Sequence, residues 1–261
     1  MGELEGRVAF ITGANSGIGK ATALLFAREG AKVGLVGRRA AKNEETAEEI
    51  RQIGGEALVL TADVSQPEQV EAAYRRLIET WGRLDIVFAN AGINGVWAPI
   101  EEITPEEWDQ TQAINAKGTF LTVKYAIPYM KERGGSIVIT SSINGTRQFS
   151  LAGATAYSCS KAAQVAFAKH AAVELARWKI RVNVICPGWI RTNIPENTWR
   201  RNIEKIAIPT IRPEGGIPLT GKKPGEPEQV AEAVLFLASD RASHITGTEL
   251  WIDGAESLLR T

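Results

Sequence analysis

The chain has 261 residues, of which 44% are hydrophobic and 23% are charged, so it has the composition of an ordinary globular protein with a sizeable core. Its 30 basic and 30 acidic residues balance, which argues against nucleic acid or an acidic membrane surface as a partner, because both attract a basic surface. The two histidines and the two cysteines, Cys159 and Cys186, are too few and too scattered for a metal site or a disulfide framework, and we expect both cysteines to be small buried side chains.

Short runs of β-branched and apolar residues alternate with longer amphipathic segments along the chain. The runs predict strands at 8–12, 32–37, 57–62, 84–89, 136–140, 181–185 and 249–253. The segments between them predict helices at 18–29, 40–53, 67–81, 105–131, 154–178 and 228–238. Most runs are continuously apolar, as in strands that are covered on both faces. The pattern predicts a three-layer α/β fold, a doubly wound parallel sheet of about seven strands with helices on both faces.

Two of the predicted helices begin with capping signals. Ser65 stands two residues ahead of Pro67, and Thr104 stands directly ahead of Pro105, with Glu107 at the third helical position. A hydroxyl before the first turn can accept a hydrogen bond from a free backbone N–H, and a glutamate three residues later can return one. We therefore expect both hydroxyls to cap the helices that follow them.

The strands are evenly spaced and leave no place for a domain boundary, so we expect one domain over residues 1–261. Residues 195–227 differ from the rest, because they hold six of the 11 prolines and show no strand pattern. A long insertion of this kind in a compact domain is usually an active-site lid or a disordered loop. We expect a substrate lid at about 189–226.

The sequence shows no targeting or membrane-spanning segment. The N-terminal stretch "MGELEGRVAFITG" lacks the basic-then-apolar pattern of a secretion signal. No apolar run approaches the roughly 18 residues of a membrane span. We therefore expect a cytoplasmic protein.

The stretch "VAFITGANSGIGKATALLF" places three glycines between the first strand and the first helix. Gly13, Gly17 and Gly19 are spaced G-x-x-x-G-x-G, where the common dinucleotide fingerprint has G-x-G-x-x-G. Glycines let the chain turn sharply off the strand and let a pyrophosphate approach the N–H groups at the helix start. A tight turn with helix-packing glycines would look similar, but the strand before and the helix after favour a dinucleotide site.

The second predicted strand ends in "LVGRR", where a dinucleotide-binding fold selects its cofactor. An acid there binds the ribose hydroxyls of NAD, and an arginine nearby accommodates the 2′-phosphate of NADP. Gly37 stands in the place of the acid, and Arg38 and Arg39 follow it. Two solvated arginines at the start of a helix would give the same sequence, but the missing acid favours NADP(H) over NAD(H).

Tyr157 and Lys161 in "AYSCSKAA" are four residues apart on a predicted helix, so they share one face. An isolated pair of this kind is usually a solvated helix face. Here it belongs to an ordered series with the glycine loop. The other members are "ADV" at 62–64, "NAG" at 90–92, Asn115, "SS" at 141–142 and "PG" at 187–188. Over residues 5–255 the series resembles the short-chain dehydrogenase/reductase family in its single-domain form.

The resemblance implies a Rossmann fold, no metal, and a role for each matching residue. By similarity, Ser142 binds the carbonyl oxygen of the substrate and Tyr157 donates its proton. Lys161 is implied to hold the nicotinamide ribose and to lower the pKa of Tyr157, and Asn115 is implied to hold a water that relays protons to Lys161. The residues implied in cofactor binding are Gly13, Asn15, Ser16, Gly17, Ile18, Gly19, Arg38, Arg39, Asp63, Val64, Asn90, Ala91, Gly92, Tyr157, Lys161, Pro187, Gly188, Ile190 and Thr192.

One spacing departs from the family pattern. Ser142 and Tyr157 are 15 residues apart, which is longer than in close relatives, so residues 146–153 are expected to bulge into the substrate site. The longer spacing leaves Ser141 as an alternative, although Ser142 is favoured because it stands three residues before Gly145.

Three aromatic side chains are predicted to wall the substrate pocket. Trp97, Phe149 and Trp189 fall on or beside loops at the carboxyl ends of strands, where ligands bind in sheets of this kind. Ordinary core packing is the alternative for each of them. An apolar wall is favoured.

Two predicted helices, 105–131 and 154–178, carry more apolar positions than one sheet face can cover. The positions on the second helix are Ala162, Val165, Ala166, Ala168, Ala171, Ala172 and Leu175. A surplus of this kind predicts an isologous homo-oligomer, and the family resemblance implies a homotetramer.

We interpret the chain as an oxidoreductase, a ketoreductase that transfers a hydride between NADP(H) and a carbonyl or secondary alcohol. A catalytically silent regulatory protein that binds a dinucleotide is the alternative, but it would be expected to lack part of the catalytic set. Sugar-nucleotide epimerases and dehydratases resemble longer chains with a C-terminal substrate domain. Sugars, polyols, oxoacyl thioesters and small ketones all stay open as substrates.

Overall fold

The computed structural model describes residues 2–208, 216–221 and 223–259, and nine strands lie among them. They are β1 Val8–Thr12, β2 Lys32–Gly37, β3 Ala57–Thr61, β4 Ile86–Ala89, β5 Gly95–Trp97, β6 Gly135–Thr140, β7 Ile180–Pro187, β8 Thr198–Arg200 and β9 Glu249–Ile252. Seven of these strands form one sheet in the order β3-β2-β1-β4-β6-β7-β9, and every neighbouring pair is parallel. The predicted sheet is confirmed, and each predicted strand overlaps an observed one.

Helices cover both faces of this sheet. They are α1 Gly17–Arg28, α2 Ala40–Gln52, α3 Pro67–Trp81, α4 Pro105–Gln112, α5 Gly118–Met130, α6 Thr155–Leu175 and α7 Pro227–Ala238. Side chains from α1, α2 and α7 form the apolar core on one face, and side chains from α3, α5 and α6 form the core on the other. Phe10 and Ile11, neighbours on β1, belong to different cores and are both fully buried. This is why the strands read as continuous apolar runs.

The order of the strands creates a switch point. The chain begins in the middle of the sheet at β1, winds outward through β2 to β3, and then returns to place β4 on the other side of β1. Connections from β1 and β4 therefore leave on opposite faces and open a crevice at their carboxyl ends. Among the described residues, no helix is long and apolar enough to cross a membrane.

One predicted cap is confirmed and the other is wrong. The Thr104 hydroxyl accepts a hydrogen bond from the Glu107 N–H, and the Glu107 carboxylate accepts one from the Thr104 N–H, which completes a capping box. The residue before α3 is Gln66, which makes no side-chain cap. Ser65 instead donates its hydroxyl to the Asp63 carboxylate at 2.7 Å. Because the helix begins at Pro67, Ser65 lies one residue too early to cap it.

The predicted helix 105–131 is interrupted in its middle. Residues Ala113–Lys117, between α4 and α5, form a π-helical turn. A π turn inserts an extra residue into the helical repeat and is often found at functional sites. Here it holds Asn115, whose side chain is fully buried.

The expectation that both cysteines are buried is wrong for Cys159. Cys186 on β7 is fully buried, whereas Cys159 on α6 is exposed. A helix turns by about 100° per residue, so Cys159 lies nearly opposite to Tyr157 and Lys161, which face the protein interior.

The strands β5 and β8 form a separate parallel pair above the main sheet, with Trp97 opposite Arg200. The short strand β8 thus lies within 195–227, although the sequence of that segment shows no strand pattern. Arg201 directly after β8 donates its N–H to the Trp97 carbonyl at 2.9 Å and binds the Glu107 carboxylate at 2.8 Å. These contacts hold the predicted lid to the rest of the protein at Arg201, and its residues 209–215 and 222 lie outside the described residues.

Candidate active site

A cavity of about 730 Å³ opens at the carboxyl ends of the strands, at the switch point between β1 and β4. Its wall includes almost every residue that the sequence assigned to a cofactor or catalytic site. The assigned residues in the wall are Gly13, Asn15, Ser16, Gly17, Ile18, Arg38, Arg39, Asp63, Val64, Asn90, Ala91, Gly92, Ser142, Tyr157, Lys161, Pro187, Gly188, Ile190 and Thr192. Gly19 and Asn115 are the assigned residues that lie outside the wall.

The glycine loop forms one end of this cavity. Gly13 and Gly17 have φ angles of +67° and +50°, in the left-handed region that glycine tolerates best. A Cβ at Gly17 would meet the Thr192 side chain at 3.0 Å, and a Cβ at Gly19 would overlap the Gly13 carbonyl oxygen. Gly19 therefore lets α1 pack onto the loop, while the N–H groups at the start of α1 stay open to the cavity. This bare backbone at a helix start fits a pyrophosphate.

Asn90 ties the floor of the cavity together. Its N–H donates to the Thr12 hydroxyl at 2.9 Å, and its amide nitrogen donates to the Thr12 carbonyl at 3.1 Å. Its amide oxygen accepts the hydroxyl of Thr140 at 3.2 Å. The ends of β1, β4 and β6 are thereby held in fixed positions, so Asn90 borders the predicted cofactor site and shapes it.

The end of the cavity beside β2 is basic. The Arg38 guanidinium lies 3.9 Å from the Asp63 carboxylate, and the Arg39 guanidinium donates to the Asn15 amide oxygen at 3.0 Å. The Arg38 side chain is 61% exposed, so it has room to meet a ligand. Both arginines and Asp63 face the same space, which fits the adenosine half of a dinucleotide.

Gly37 lies between two asparagine side chains. A Cβ at Gly37 would stand 2.9 Å from the Asn15 amide nitrogen and 3.2 Å from the Asn43 amide oxygen. Asn43 is fully buried and donates to the Gly37 carbonyl at 3.2 Å. The position that would carry a ribose-binding acid is therefore already filled by its neighbours.

Tyr157 and Lys161 stand one turn apart on α6, and both face the cavity. The exposed fractions of the two residues are 7% and 3%. The Lys161 ammonium donates to the Thr140 carbonyl at 2.9 Å and lies 5.5 Å from the centre of the Tyr157 ring. A phenol and an ammonium are thus held together in a nearly dry wall of the site.

The two neighbouring serines have different partners. The Ser141 hydroxyl donates to the Lys161 carbonyl at 2.8 Å and is buried beside α6. The Ser142 hydroxyl forms a hydrogen bond with the Tyr157 phenol and accepts the Asn144 N–H at 3.1 Å. This geometry supports Ser142, rather than Ser141, as the serine that accompanies Tyr157.

Asn115 lies behind the cavity wall. Its amide oxygen accepts the N–H of Ile93, and its amide nitrogen donates to the Ile93 carbonyl and to the Ser160 hydroxyl, each at 2.9 Å. A Cβ at Gly92 would lie 3.2 Å from the Asn115 amide oxygen and 3.5 Å from the Lys161 ammonium. Asn115 thus fixes the segment that separates it from Lys161, and its role in a proton relay stays a prediction.

Burial sets the pKa values of the central pair. It raises the pKa of the Tyr157 phenol to about 12, although the hydrogen bond with Ser142 opposes the rise. It also lowers the pKa of the Lys161 ammonium to about 8. The expected lowering of the Tyr157 pKa is therefore wrong for the protein by itself, because desolvation of the phenolate outweighs the hydrogen bond with Ser142.

Comparisons with known proteins agree with this geometry. A family model described as enoyl-(acyl carrier protein) reductase matches residues 13–255. The crystal structure of a 3-ketoacyl-ACP reductase from Sinorhizobium meliloti 1021 is 55% identical, with a TM-score of 0.94, and the match covers 97% of this chain and 100% of that one. Levodione reductase of Leifsonia aquatica is 38% identical over 258 residues, which is 96% of this chain and 94% of the relative. The crystal structure of 3-ketoacyl-(acyl-carrier-protein) reductase from Brucella melitensis complexed with NADH is 35% identical, with a TM-score of 0.86 and a coverage of 97% and 99%. The chain belongs to the short-chain dehydrogenase/reductase family.

As a member of the short-chain dehydrogenase/reductase family, the protein is an oxidoreductase. A silent regulatory protein is not supported, because the relatives are named as reductases and Tyr157, Lys161 and Ser142 meet in one cavity. Within the described residues, no group of three or more histidine, cysteine, aspartate or glutamate side chains is placed to hold a metal ion.

The substrate end of this short-chain dehydrogenase/reductase site mixes apolar and amide side chains. Trp97 and Trp189 line the cavity as predicted. Phe149 is 72% exposed and lies outside the wall, so its prediction is wrong. The sequence interpretation missed Asn94 and Gln148, which are both in the wall and nearly buried. The unusual length of the 142–157 segment was the only sequence signal for Gln148.

Proposed function

We propose that this protein is an NADP(H)-dependent ketoreductase that interconverts a carbonyl compound and its secondary alcohol. The observation that carries the proposal is the buried contact of Tyr157 with Ser142 and Lys161, on the cavity that also holds the bare glycine loop. The bound nicotinamide would supply or accept the hydride. The protein residues would bind the reacting oxygen and move its proton.

The reacting oxygen would lie at the two hydroxyls of Ser142 and Tyr157. As hydride reaches the carbonyl carbon, negative charge develops on the oxygen and is stabilised by hydrogen-bond donors held in place. Tyr157 then gives its proton to this oxygen and becomes a phenolate. The Lys161 ammonium stabilises that phenolate, because an opposite charge nearby favours the charged form. Burial of all these groups excludes water from the proton transfer.

The most direct test uses a panel of substrates. NADPH and NADH oxidation is measured with sugars, small ketones, cyclic diketones, oxoacyl thioesters and enoyl thioesters, and NADP reduction is measured with alcohols and polyols. We expect turnover of ketones with NADPH and of secondary alcohols with NADP. Reduction of the enoyl double bond without any carbonyl reduction would contradict the proposal.

The pH dependence should follow Lys161 in both directions. Reduction needs the phenol and the ammonium, so its initial rate should fall as pH rises through about 8, where Lys161 loses its proton. Oxidation needs the phenolate and the ammonium. Its rate should therefore rise up to about pH 8 and then level off, because the gain in phenolate is offset by the loss of ammonium until about pH 12.

The variant Lys161→Arg provides the control for this pH prediction. Arginine keeps its charge over the whole range, so the fall in the reduction rate above pH 8 should disappear, with cofactor affinity measured separately. A fall that persists unchanged in Lys161→Arg would assign the titration to another group.

The proposed preference for NADP(H) rests on Arg38 and on the crowding at Gly37. A neighbour of known structure with a similar fold is complexed with NADH, so the fold alone does not determine which cofactor is bound. A cytoplasmic location stays a proposal from the sequence.

We also propose that part of the predicted lid closes over the substrate. Residues 192–197 all line the cavity, while the Arg201 N–H after them is bonded to the Trp97 carbonyl. Hydrogen exchange at 192–197 should slow at least several-fold when NADP and substrate bind, because closure removes these amides from water. The Arg201 amide should be slow in both states and serves as the internal control. Equal exchange at 192–197 in both states would mean that the segment is fixed.

Fewer apolar positions on α6 are exposed for the proposed homotetramer interface than the sequence suggested. Five of the seven apolar positions on α6 are buried in the chain's own core, and Ala162 and Ala166 are exposed. An apolar patch remains, because Phe120 on α5 is 44% exposed and packs edge-to-face with Phe167 on α6. Val173 on α6 is 82% exposed.

Light scattering should give a mass about four times that of the 28.3 kDa chain, as expected for closed symmetry. Phe120→Glu should lower the mass, since it places a charge in the proposed interface. The exposed substitution Ile53→Glu on the far side of the fold is the control. A single-chain mass at micromolar concentration would contradict the proposal.

A further inference from the structure

Gln148 is a nearly buried polar side chain that faces the active-site cavity. Its exposed fraction is 7%, and it shares the cavity wall with Ser142 and Tyr157. A glutamine amide offers two donor hydrogens and an acceptor oxygen. Among the described residues, no protein group forms a hydrogen bond with this amide, and its atoms are accessible from the cavity. An unpaired amide at the wall of a substrate site is placed to bind a ligand.

The backbone around Gln148 is held directly beside the catalytic serine. The Ile143 carbonyl accepts the N–H groups of Arg147 and Gln148 at 2.9 and 3.0 Å, and the Gly145 N–H donates to the Gln148 carbonyl at 3.3 Å. The Thr146 hydroxyl donates to the Ser142 carbonyl at 2.7 Å. The extra length between Ser142 and Tyr157 thus forms a compact turn.

The outer side of this turn is fixed as well. The Arg147 guanidinium stacks 3.5 Å from the centre of the Trp251 ring, and the Trp251 ring nitrogen donates to the Thr146 hydroxyl at 3.3 Å. A Cβ at Gly145 would overlap the Ser158 carbonyl oxygen, so the turn lies against α6. Arg147 and Phe149 are exposed, and the residue between them faces the cavity. These contacts therefore place Gln148 on the cavity side of the turn before a substrate binds.

We propose that Gln148 recognises a second, uncharged oxygen of the substrate, a hydroxyl or carbonyl close to the reacting carbonyl. The inference rests on the proposed ketoreductase function and narrows its substrate class to hydroxyketones, diketones and oxoesters. The amide nitrogen donates to a second carbonyl, and the amide oxygen accepts from a hydroxyl. A plain ketone leaves the amide unpaired when it displaces water from the cavity, and this lowers its transition-state stabilisation.

The test compares ketones that differ in the second oxygen. The pairs are cyclohexanone with 2-hydroxycyclohexanone, butanone with 3-hydroxy-2-butanone, and 2-hexanone with ethyl acetoacetate. Wild-type kcat/KM should favour the oxygenated member of at least one pair about tenfold or more. Gln148→Leu should lower kcat/KM for that member about ten- to a hundredfold and leave its plain partner within about threefold. Gln148→Asn should recover part of the loss.

The control variant is Phe149→Leu, which changes the neighbouring exposed residue and should leave the ratio within each pair unchanged. A second readout is independent of turnover: the affinity of the NADPH complex, which cannot oxidise an alcohol, for trans-1,2-cyclohexanediol relative to cyclohexanol, a ratio that Gln148→Leu should bring close to one. The inference is overturned if no pair is discriminated, or if Gln148→Leu weakens both members and both alcohols equally. In that case, reduction of plain ketones would still support the proposed function. Selective diol binding without any carbonyl reduction would contradict the proposed function but not the role of Gln148.

Discussion

Replacing Tyr157 with phenylalanine is expected to lower kcat at least about a hundredfold, the usual scale for a lost general acid. Phenylalanine keeps the ring that packs in the cavity wall but removes the hydroxyl that contacts Ser142. The oxygen that develops negative charge then lacks its proton donor, and water is excluded from the buried wall. The measurement is steady-state turnover on a verified ketone, with NADPH affinity determined by fluorescence.

The affinity of Tyr157→Phe for NADPH should stay near the wild-type value, because the phenol is proposed to act on the substrate. Lys161→Ala is the comparison, and it should weaken both turnover and cofactor affinity, since the ammonium is proposed to hold the nicotinamide ribose. Near-wild-type turnover of Tyr157→Phe would show that the phenol at position 157 is not the proton donor.

The main sheet could be predicted from the sequence because its signals are local. Strands such as β1 and β4 are buried on both faces, so each one appears as an almost unbroken apolar run. The pair β5 and β8 has no comparable signal. Each has three residues, and their pairing joins segments about a hundred positions apart, in the register of Trp97 with Arg200. Short strands that exist only through a distant partner leave no periodicity to detect.

The candidate site divides in the same way. Gly13, Gly17, Tyr157 and Lys161 belong to local motifs, and the structure brings them to one cavity. Gln148 depends on the direction of a turn that is set by contacts with Trp251 and α6, so the length of the 142–157 segment indicated the region but not which of its residues faces the cavity. The pKa of Tyr157 depends on burial in the assembled wall, so the lowered pKa that the family resemblance implied has the wrong direction for the protein by itself.

The crowding around Gly37 changes how the cofactor preference should be tested. An acid at position 37 would place its Cβ 2.9 Å from the Asn15 amide and 3.2 Å from the Asn43 amide. Both side chains would have to shift, and Asn43 is fully buried. Gly37→Asp combined with Arg38→Leu would therefore mix a change in charge with strain at the end of β2. Arg38 alone offers a cleaner substitution, because its side chain is largely exposed.

Arg38→Leu is expected to weaken NADPH binding about ten- to a hundredfold and to leave NADH binding within about threefold. A charge-assisted hydrogen bond to a phosphate contributes about 1.5–3 kcal/mol. NADH has no 2′-phosphate and does not form this bond, so the substitution should not affect its binding. Since Arg38 is exposed, the loss of NADPH affinity should become smaller as the salt concentration rises.

Arg39→Leu is the matched control. The Arg39 guanidinium is bound to the Asn15 amide oxygen, so the discrimination between NADPH and NADH should fall less than in Arg38→Leu. Dissociation constants for both cofactors, measured by fluorescence at two salt concentrations, decide the matter. If the wild type binds NADH as tightly as NADPH, then Arg38 does not select the 2′-phosphate, and the proposed preference for NADP(H) is wrong.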